Sequence, residues 1–155
     1  MYGPSRELSI DESITRFKGR LAFKQYLPLK PIRFGIKQFA LCESRTGYVL
    51  KYVTYCGKGT VPLKEGFSMT ESVCLNILEG FENKGHHIYT DNFYTSPRLF
   101  KQLQKDGTGA CGTVKAGRQG MPDMLHPNTL PLNKGDDPVF AKCSDMVACA
   151  WHDTK

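Results

Sequence analysis

Two aspartates, Asp11 in "LSIDESIT" and Asp91 in "HHIYTDNFYTS", sit in matching contexts: each follows a short apolar stretch and is succeeded by a polar residue, Glu12 or Asn92. If both sit at the C-terminal ends of neighbouring strands, their carboxylates converge at one edge of a sheet, where α/β folds place their sites. Hard divalent ions such as Mg2+ take oxygen ligands of this kind together with phosphates and water. A pair of such ions clamps the attacking and leaving oxygens in phosphodiester chemistry. The competing reading is structural, because Asp and Asn ahead of a helix commonly serve as caps and turn residues. With 80 positions between them the two form no local motif, and spacing alone favours the turn role for either one taken singly.

A second constellation is electrostatic. The chain carries a formal charge of +6 with a pI near 9.0, and the surplus is uneven. Between Arg16 and Lys37 stand seven cations (Arg16, Lys18, Arg20, Lys24, Lys30, Arg33, Lys37) and no acid, with Phe17, Phe23, Tyr26 and Phe34 among them. Cations of this density neutralise a phosphate backbone, and interleaved aromatics can stack on bases; the plainer alternative is a solvated loop whose aromatics belong to the core. His86 and His87 precede Asp91, but adjacent residues on a strand face opposite ways, so only one could reach a site there. Packing or solvent exposure is the simpler role for both.

The six cysteines (42, 56, 74, 111, 143 and 149) include no C-x-x-C pair. They read as reduced core or half-buried thiols of an intracellular protein, since a zinc site wants closely spaced ligand pairs and only Cys143 with Cys149 comes near. His126 and His152 lie near cysteines only along the chain, and nothing resembles a nucleophile elbow.

The elements that must hold these residues can be read from pattern. At 155 residues, 40% hydrophobic and 23% charged, one domain is expected. No run of 18 apolar residues occurs and the N-terminal segment is polar and acidic, so a soluble, non-secreted protein is expected. Leu8 and Ile10 alternate as the end of a strand closing at Asp11, with a short helix from Ser9 as the alternative. Gly19, Pro28 and Pro31 break the basic stretch into a loop with extended pieces. "FGIKQFALCES" and "GYVLKYVTYCGK", separated by a turn at Gly47, form a hairpin.

Ser68 and Glu71 make a capping box for a helix whose apolar face is Val73, Ile77, Leu78 and Phe81 and which Gly85 ends. "HHIYTDNFY" is strand-like. Ser96 and Pro97 start a second helix with Leu99, Phe100 and Leu103 on its apolar face and Gly107 as its stop. "GACGTVKAG" supplies a short strand, and residues 117–138 an irregular excursion or the start of an insertion. Two further strands, Val139–Lys142 and Met146–Trp151, turn at Ser144 and Asp145. The order is that of an α/β domain with a mixed sheet.

The segments "LSIDESITRFKGRLAFKQYLPLKPIRFGIKQFALCESRTGYVLKYVTYCGK" and "IYTDNFYTSPRLFKQLQKDGTGACGTVKAGRQGMP" resemble the transposase domain of piggyBac elements and of the domesticated proteins derived from them. Nearly the whole chain is covered, and the shared features (D-E followed by F-K-G-R, P-x-K-P and G-I-K, then D-N-F-Y-T-S) are long and specific. The resemblance implies a ribonuclease-H-like α/β fold and a three-aspartate set that binds two Mg2+ ions for DNA cleavage and strand transfer. Asp11 matches the first family aspartate and Asp91 the second. The third lies in a G-G-V-D segment, for which this sequence has no counterpart. Asp153 aligns instead with the W-x-D-x-K strand end, a structural position. The family's N-terminal DNA-binding and dimerisation region and its cysteine-rich zinc module also have no counterpart. The expectation is therefore a partial catalytic domain over residues 1–155, incomplete at its C-terminus. It would have little or no strand transfer of its own, DNA as the family partner, a homodimer only with the missing regions, no membrane association, and residence in the nucleus. The alternative is a domesticated, non-catalytic DNA-binding or protein-interaction module.

Overall fold

Alternation decides the first element. Leu8 and Ile10 are buried while Ser9 and Asp11 are not, and this period of two continues as strand β1, Glu7–Arg16. The computed structural model describes residues 2–28 and 30–153. The strand runs on past Asp11, which corrects the expected strand end there and removes the helical alternative. Ile14 and Thr15 are β-branched and keep the pleat, and pairing continues antiparallel to β3, Phe34–Glu43, from Leu8↔Glu43 to Arg16↔Gly35.

The basic stretch contributes only the two-residue strand β2, Gln25–Tyr26, on the far edge of β3. β3 then turns at Gly47, whose φ of 72° suits glycine, into β4, Val49–Thr54. Helix α1, Met69–Ile77, starts with the expected capping box of Ser68 and Glu71. It stops at Leu78 and does not run to Gly85: Gly80 takes a φ of 91° and the Phe81 amide bonds back to the Leu78 carbonyl at 2.8 Å. Phe81 still packs against the core, so its apolar character reported burial but not helix.

β5, His87–Thr90, lies parallel to β1 with Leu8↔Ile88 and Ile10↔Thr90 in register. Helix α2, Pro97–Lys105, is capped by the Ser96 hydroxyl, which accepts from the Leu99 amide at 3.0 Å. The chain returns as β6, Gly109–Gly112, parallel to β5. The main sheet is thus mixed and six-stranded, in the order β2-β3-β1-β5-β6 with β4 also on β3. From 113 to 138 the only regular piece among the described residues is a 3-10 turn, Asp123–Leu125. β7, Val139–Cys143, and β8, Met146–Ala150, form a separate antiparallel pair turned at Ser144.

Both helices cover one face of the main sheet. Leu8, Ile10, Phe39, Leu41 and Ile88 meet Val73, Cys74 and Ile77 of α1 and Leu99 and Leu103 of α2 in a single apolar cluster. Each fully buried side chain of this kind contributes about 1.5–3 kcal/mol, and together they fix the β1–β5 register. The opposite face is open, with Tyr52 and Tyr89 exposed on it. No helix among the described residues is long and apolar enough to cross a membrane.

Candidate functional site

The parallel pairing of β1 and β5 places the two aspartates. Ile10 and Thr90 are the last register partners, so Asp11 is the next residue of β1 and Asp91 the first residue beyond β5, and both are exposed. β1 continues there while β5 ends, which puts Asp11 inside a strand and Asp91 at the mouth of a turn.

That turn is tightly built. The Asp91 carbonyl accepts from the Thr95 amide at 3.0 Å and from the Thr95 hydroxyl at 2.8 Å. The Asp91 Oδ1 accepts from the Phe93 amide at 3.0 Å, and the Thr90 and Thr95 hydroxyls meet at 2.8 Å in the interior. On the other strand, Asp11 Oδ1 accepts from the Glu12 amide at 2.7 Å. One oxygen of each aspartate is therefore held by a following backbone N–H.

Tyr94 joins the turn to β1. It is fully buried, and its hydroxyl reaches Glu12 Oε2 at 3.4 Å, tying the turn after Asp91 to β1. Burial raises its pKa, and the charges of Glu12, Cys74, Asp11 and Asp91 raise it further. Burial also raises the Asp11 pKa; the Glu12 amide works against this, and the Glu12 carboxylate adds to the rise. For Glu12 the balance is opposite. Burial works against its ionised form, but the adjoining Asp11 carboxyl and the nearby Lys30 and Lys37 ammoniums outweigh that and lower its pKa.

The seven cations of the basic stretch divide. Lys30 pairs with Glu12 at 3.4 Å. Lys37 lies over the rings of Phe39 and Phe93, 5.1 and 5.4 Å from their centroids, next to the Asp91 turn. Lys24 donates to the Gly19 carbonyl at 3.0 Å and sits over Phe34. Arg16, Lys18, Arg20 and Arg33 are exposed. Of the aromatics, Tyr26 and Phe34 stack on each other at 4.6 Å in solvent rather than entering the core.

The remaining sequence candidates fall elsewhere. His86 is buried beside Phe81, its Nδ1 without a hydrogen-bond partner, and His87 opens β5 at the end far from Asp91. Cys143 faces Met146 and Cys149 faces Phe140 across β7 and β8, so the two are not cross-strand neighbours. Only Cys74 is buried; Cys56, Cys111 and Cys143 are exposed, because strand edges and turns carry them rather than the apolar cluster.

Two features were missed in the sequence. Glu71 is more than a capping residue, since its carboxylate takes hydrogen bonds from Ser68, Ser96 and Arg98 and so joins the N-termini of α1 and α2. Arg118 Nη2 donates to the Asn92 carbonyl at 2.6 Å and the Phe93 carbonyl at 3.1 Å, bracing the Asp91 turn from outside. The first had a signal in the cap residues of two consecutive helices; the second had none.

The oxygen donors of Asp11 and Asp91 suit a hard divalent cation, and Glu12 is engaged by Lys30 and Tyr94. No group of three or more His, Cys, Asp or Glu that could hold a metal ion occurs among the described residues. The donor set that fits such an ion is thus a pair.

A mixed sheet with both helices on one face is an α/β domain of the ribonuclease-H-like kind. The chain belongs to the transposase IS4 family: a family profile of that description matches residues 1–155. It is 26% identical over 159 residues to human PiggyBac transposable element-derived protein 2, covering 99% of this chain and 27% of that protein. It is 33% identical over 151 residues to human PiggyBac transposable element-derived protein 3, covering 94% of this chain and 25% of that one. Among solved structures it matches the piggyBac transposase in a synaptic complex with hairpin DNA, with a TM-score of 0.81 and 27% identity over 97% of this chain and 31% of the other. The chain therefore spans about a quarter of the length of these curated relatives.

Proposed function

We propose that this chain is part of the catalytic core of a piggyBac-type transposase, and that its ancestral chemistry is divalent-metal-dependent DNA cleavage and strand transfer. The observation that supports this reading is the parallel register Ile10↔Thr90, the last paired position, after which Asp11 and Asp91 are each the next residue along the chain. Asp11 and Asp91 would hold Mg2+. When bound, the ion supplies stabilisation of the attacking and leaving oxygens of a phosphodiester. The chain's own part is orientation: the Glu12 and Phe93 amides fix one oxygen of each carboxylate, and Tyr94 ties the two strands together. The exposed cations Arg16, Lys18, Arg20 and Arg33 meet the DNA backbone, with Lys24, Lys30 and Lys37 adding charge behind them. The same reading places the protein in the nucleus.

With two carboxylates assigned rather than three, the chain by itself should bind metal weakly and carry out little or no strand transfer. Electron paramagnetic resonance of Mn2+ tests the site: weak binding is expected, lost in Asp11→Asn and in Asp91→Asn. Binding that ignores both substitutions refutes the assignment. Incubation with piggyBac-type DNA ends and Mg2+ or Mn2+ tests activity, and robust cutting by this chain alone refutes the expected inactivity. A DNA-binding module without catalysis is the second reading, favoured by the four exposed cations. DNA affinity that falls in a Lys18→Gln, Arg20→Gln variant yet is indifferent to Asp11 and Asp91 substitutions, together with absent Mn2+ binding, selects it.

A further inference from the structure

The carboxylates of β1 already face a cation from the chain itself. Lys30 Nζ stands 3.4 Å from Glu12 Oε1, and its charge acts on Asp11 as well as on Glu12. Lys37 also acts on Glu12, but its ammonium lies over the Phe39 and Phe93 rings. The loop that carries Lys30 is held in place. It is the tip of the β2–β3 pair, closed at its base by Tyr26↔Phe34 and by the Leu27 amide on the Arg33 carbonyl at 2.8 Å. The Lys30 amide bonds back to the Leu27 carbonyl at 3.1 Å, and Pro28 and Pro31 fix φ on either side of it. The receiving carboxylate is held as well, because Glu12 Oε2 takes the Tyr94 hydroxyl at 3.4 Å. A flexible lysine stem thus joins a held loop to a held acceptor.

We propose that Lys30 is a tethered counter-cation of the Asp11 and Glu12 carboxylates, displaced when a divalent ion arrives at Asp11, so that the basic loop sets the metal affinity of the site. The inference rests on the reading of Asp11 and Asp91 as metal ligands. A lysine ammonium suits the role. It carries a single charge, its side chain is 42% exposed, and an ion pair in contact with solvent is weak. It therefore gives way to a doubly charged ion, which oxygen ligands favour. The exchange is reciprocal. A phosphate that draws Lys30 away leaves the carboxylates more strongly negative for the metal, and the metal in turn frees Lys30 for the phosphate. Anionic substrate and divalent ion thus each strengthen the other's binding through one side chain. A merely structural pair, pinning the loop to β1, would couple to the stability of the fold and not to metal.

The test is Mn2+ binding by the full chain, followed by electron paramagnetic resonance at low salt. An ammonium about 6 Å from a doubly charged ion, in surroundings close to water, changes its affinity by about tenfold. Lys30→Gln should therefore tighten Mn2+ by about tenfold, while Lys30→Arg, which keeps the charge, should not tighten it. Lys24→Gln removes a cation of the same stretch that is bonded to the Gly19 carbonyl instead, and should change the affinity by less than about twofold. A second readout uses the unaltered chain: acetylation of Lys30, followed by mass spectrometry, should quicken on saturation with Mn2+, and in Asp11→Asn the same Mn2+ should leave it unchanged. Equal affinity in the parent and in Lys30→Gln, with binding still lost in Asp11→Asn, overturns the counter-cation and leaves the ligand reading standing. Equal tightening in Lys24→Gln reduces the effect to general charge and overturns it too, as does acetylation of Lys30 that is indifferent to Mn2+ in the parent. Absence of Mn2+ binding from both the parent and Lys30→Gln refutes the ligand reading and the inference with it.

Discussion

Replacing Glu71 by Gln should cost the fold about 2 kcal/mol at neutral pH and remove part of its acid sensitivity. The carboxylate is almost completely buried, and burial alone would raise its pKa. Hydrogen bonds from Arg98, Ser96 and Ser68 more than reverse this and bring it from 4.5 to about 2. At about 1.4 kcal/mol per pH unit, a drop of that size corresponds to about 3 kcal/mol of folding free energy. The Arg98 side chain is 49% exposed, so solvent screens its share, and about 2 kcal/mol is the working figure.

The sign follows from which state binds the proton. The unfolded chain protonates Glu71 first as pH falls, so the stabilisation is full above about pH 4.5 and is lost on the way down to about pH 2. Gln keeps the shape but cannot supply a charged acceptor to Ser96 and Arg98 together. Urea unfolding followed by circular dichroism, on both proteins from pH 7 to pH 2, isolates the residue, because every other carboxylate cancels in the difference. The difference should be about 2 kcal/mol at pH 7 and shrink towards zero in acid. A difference under about 0.5 kcal/mol at pH 7, or one independent of pH, would refute the idea that this carboxylate clamps the two helices.

Asp11→Asn should leave the fold at least as stable at pH 7 as the unaltered chain. The Asp11 pKa is raised by burial and by Glu12, so the folded state prefers the protonated form and stability falls as pH rises through that raised value. A thermal melt in which the Asn variant unfolds clearly below the parent at pH 7 contradicts this. Gly112→Ala should destabilise by about 1–3 kcal/mol. A Cβ there would stand 2.3 Å from the Thr90 carbonyl oxygen and 2.4 Å from the Thr95 hydroxyl, and backbone cannot yield cheaply. Hydrogen exchange should show protection lost along β5 and β6, and unaltered protection would contradict the packing.

What the sequence made legible was local chemistry. Ser68 with Glu71, and Ser96 with Pro97, announced both helix starts because caps act within a few residues. The ends were harder. Gly80 and Gly85 both adopt positive φ, and nothing local says which one closes α1; Phe81 blurred the boundary by being apolar for the sake of the core beyond the helix. β1 was read too short because Asp11, Glu12 and Ser13 look like a strand's end when its partner is unknown. Pairing with β3 holds that segment extended, and pairing is a tertiary fact. The even reading of the seven cations failed for a similar reason. Glu12 and the Phe39 and Phe93 rings draw Lys30 and Lys37 out of the group, and those partners come from three other places in the chain.

At Asp91 the turn role and the proposed ligand role are compatible. The Phe93 amide holds Oδ1, which is what a turn residue needs, and the same bond fixes the rotamer of the carboxylate. Its other oxygen makes no hydrogen bond among the described residues. A ligand whose orientation is set by its own backbone needs no further ordering when it meets a cation, so less binding energy goes into fixing the side chain. Asp11 is held in the same way by the Glu12 amide. On the proposed reading, the turn chemistry that makes these aspartates look ordinary one at a time would also prepare them as a pair, and the parallel register of β1 and β5 is what supports it.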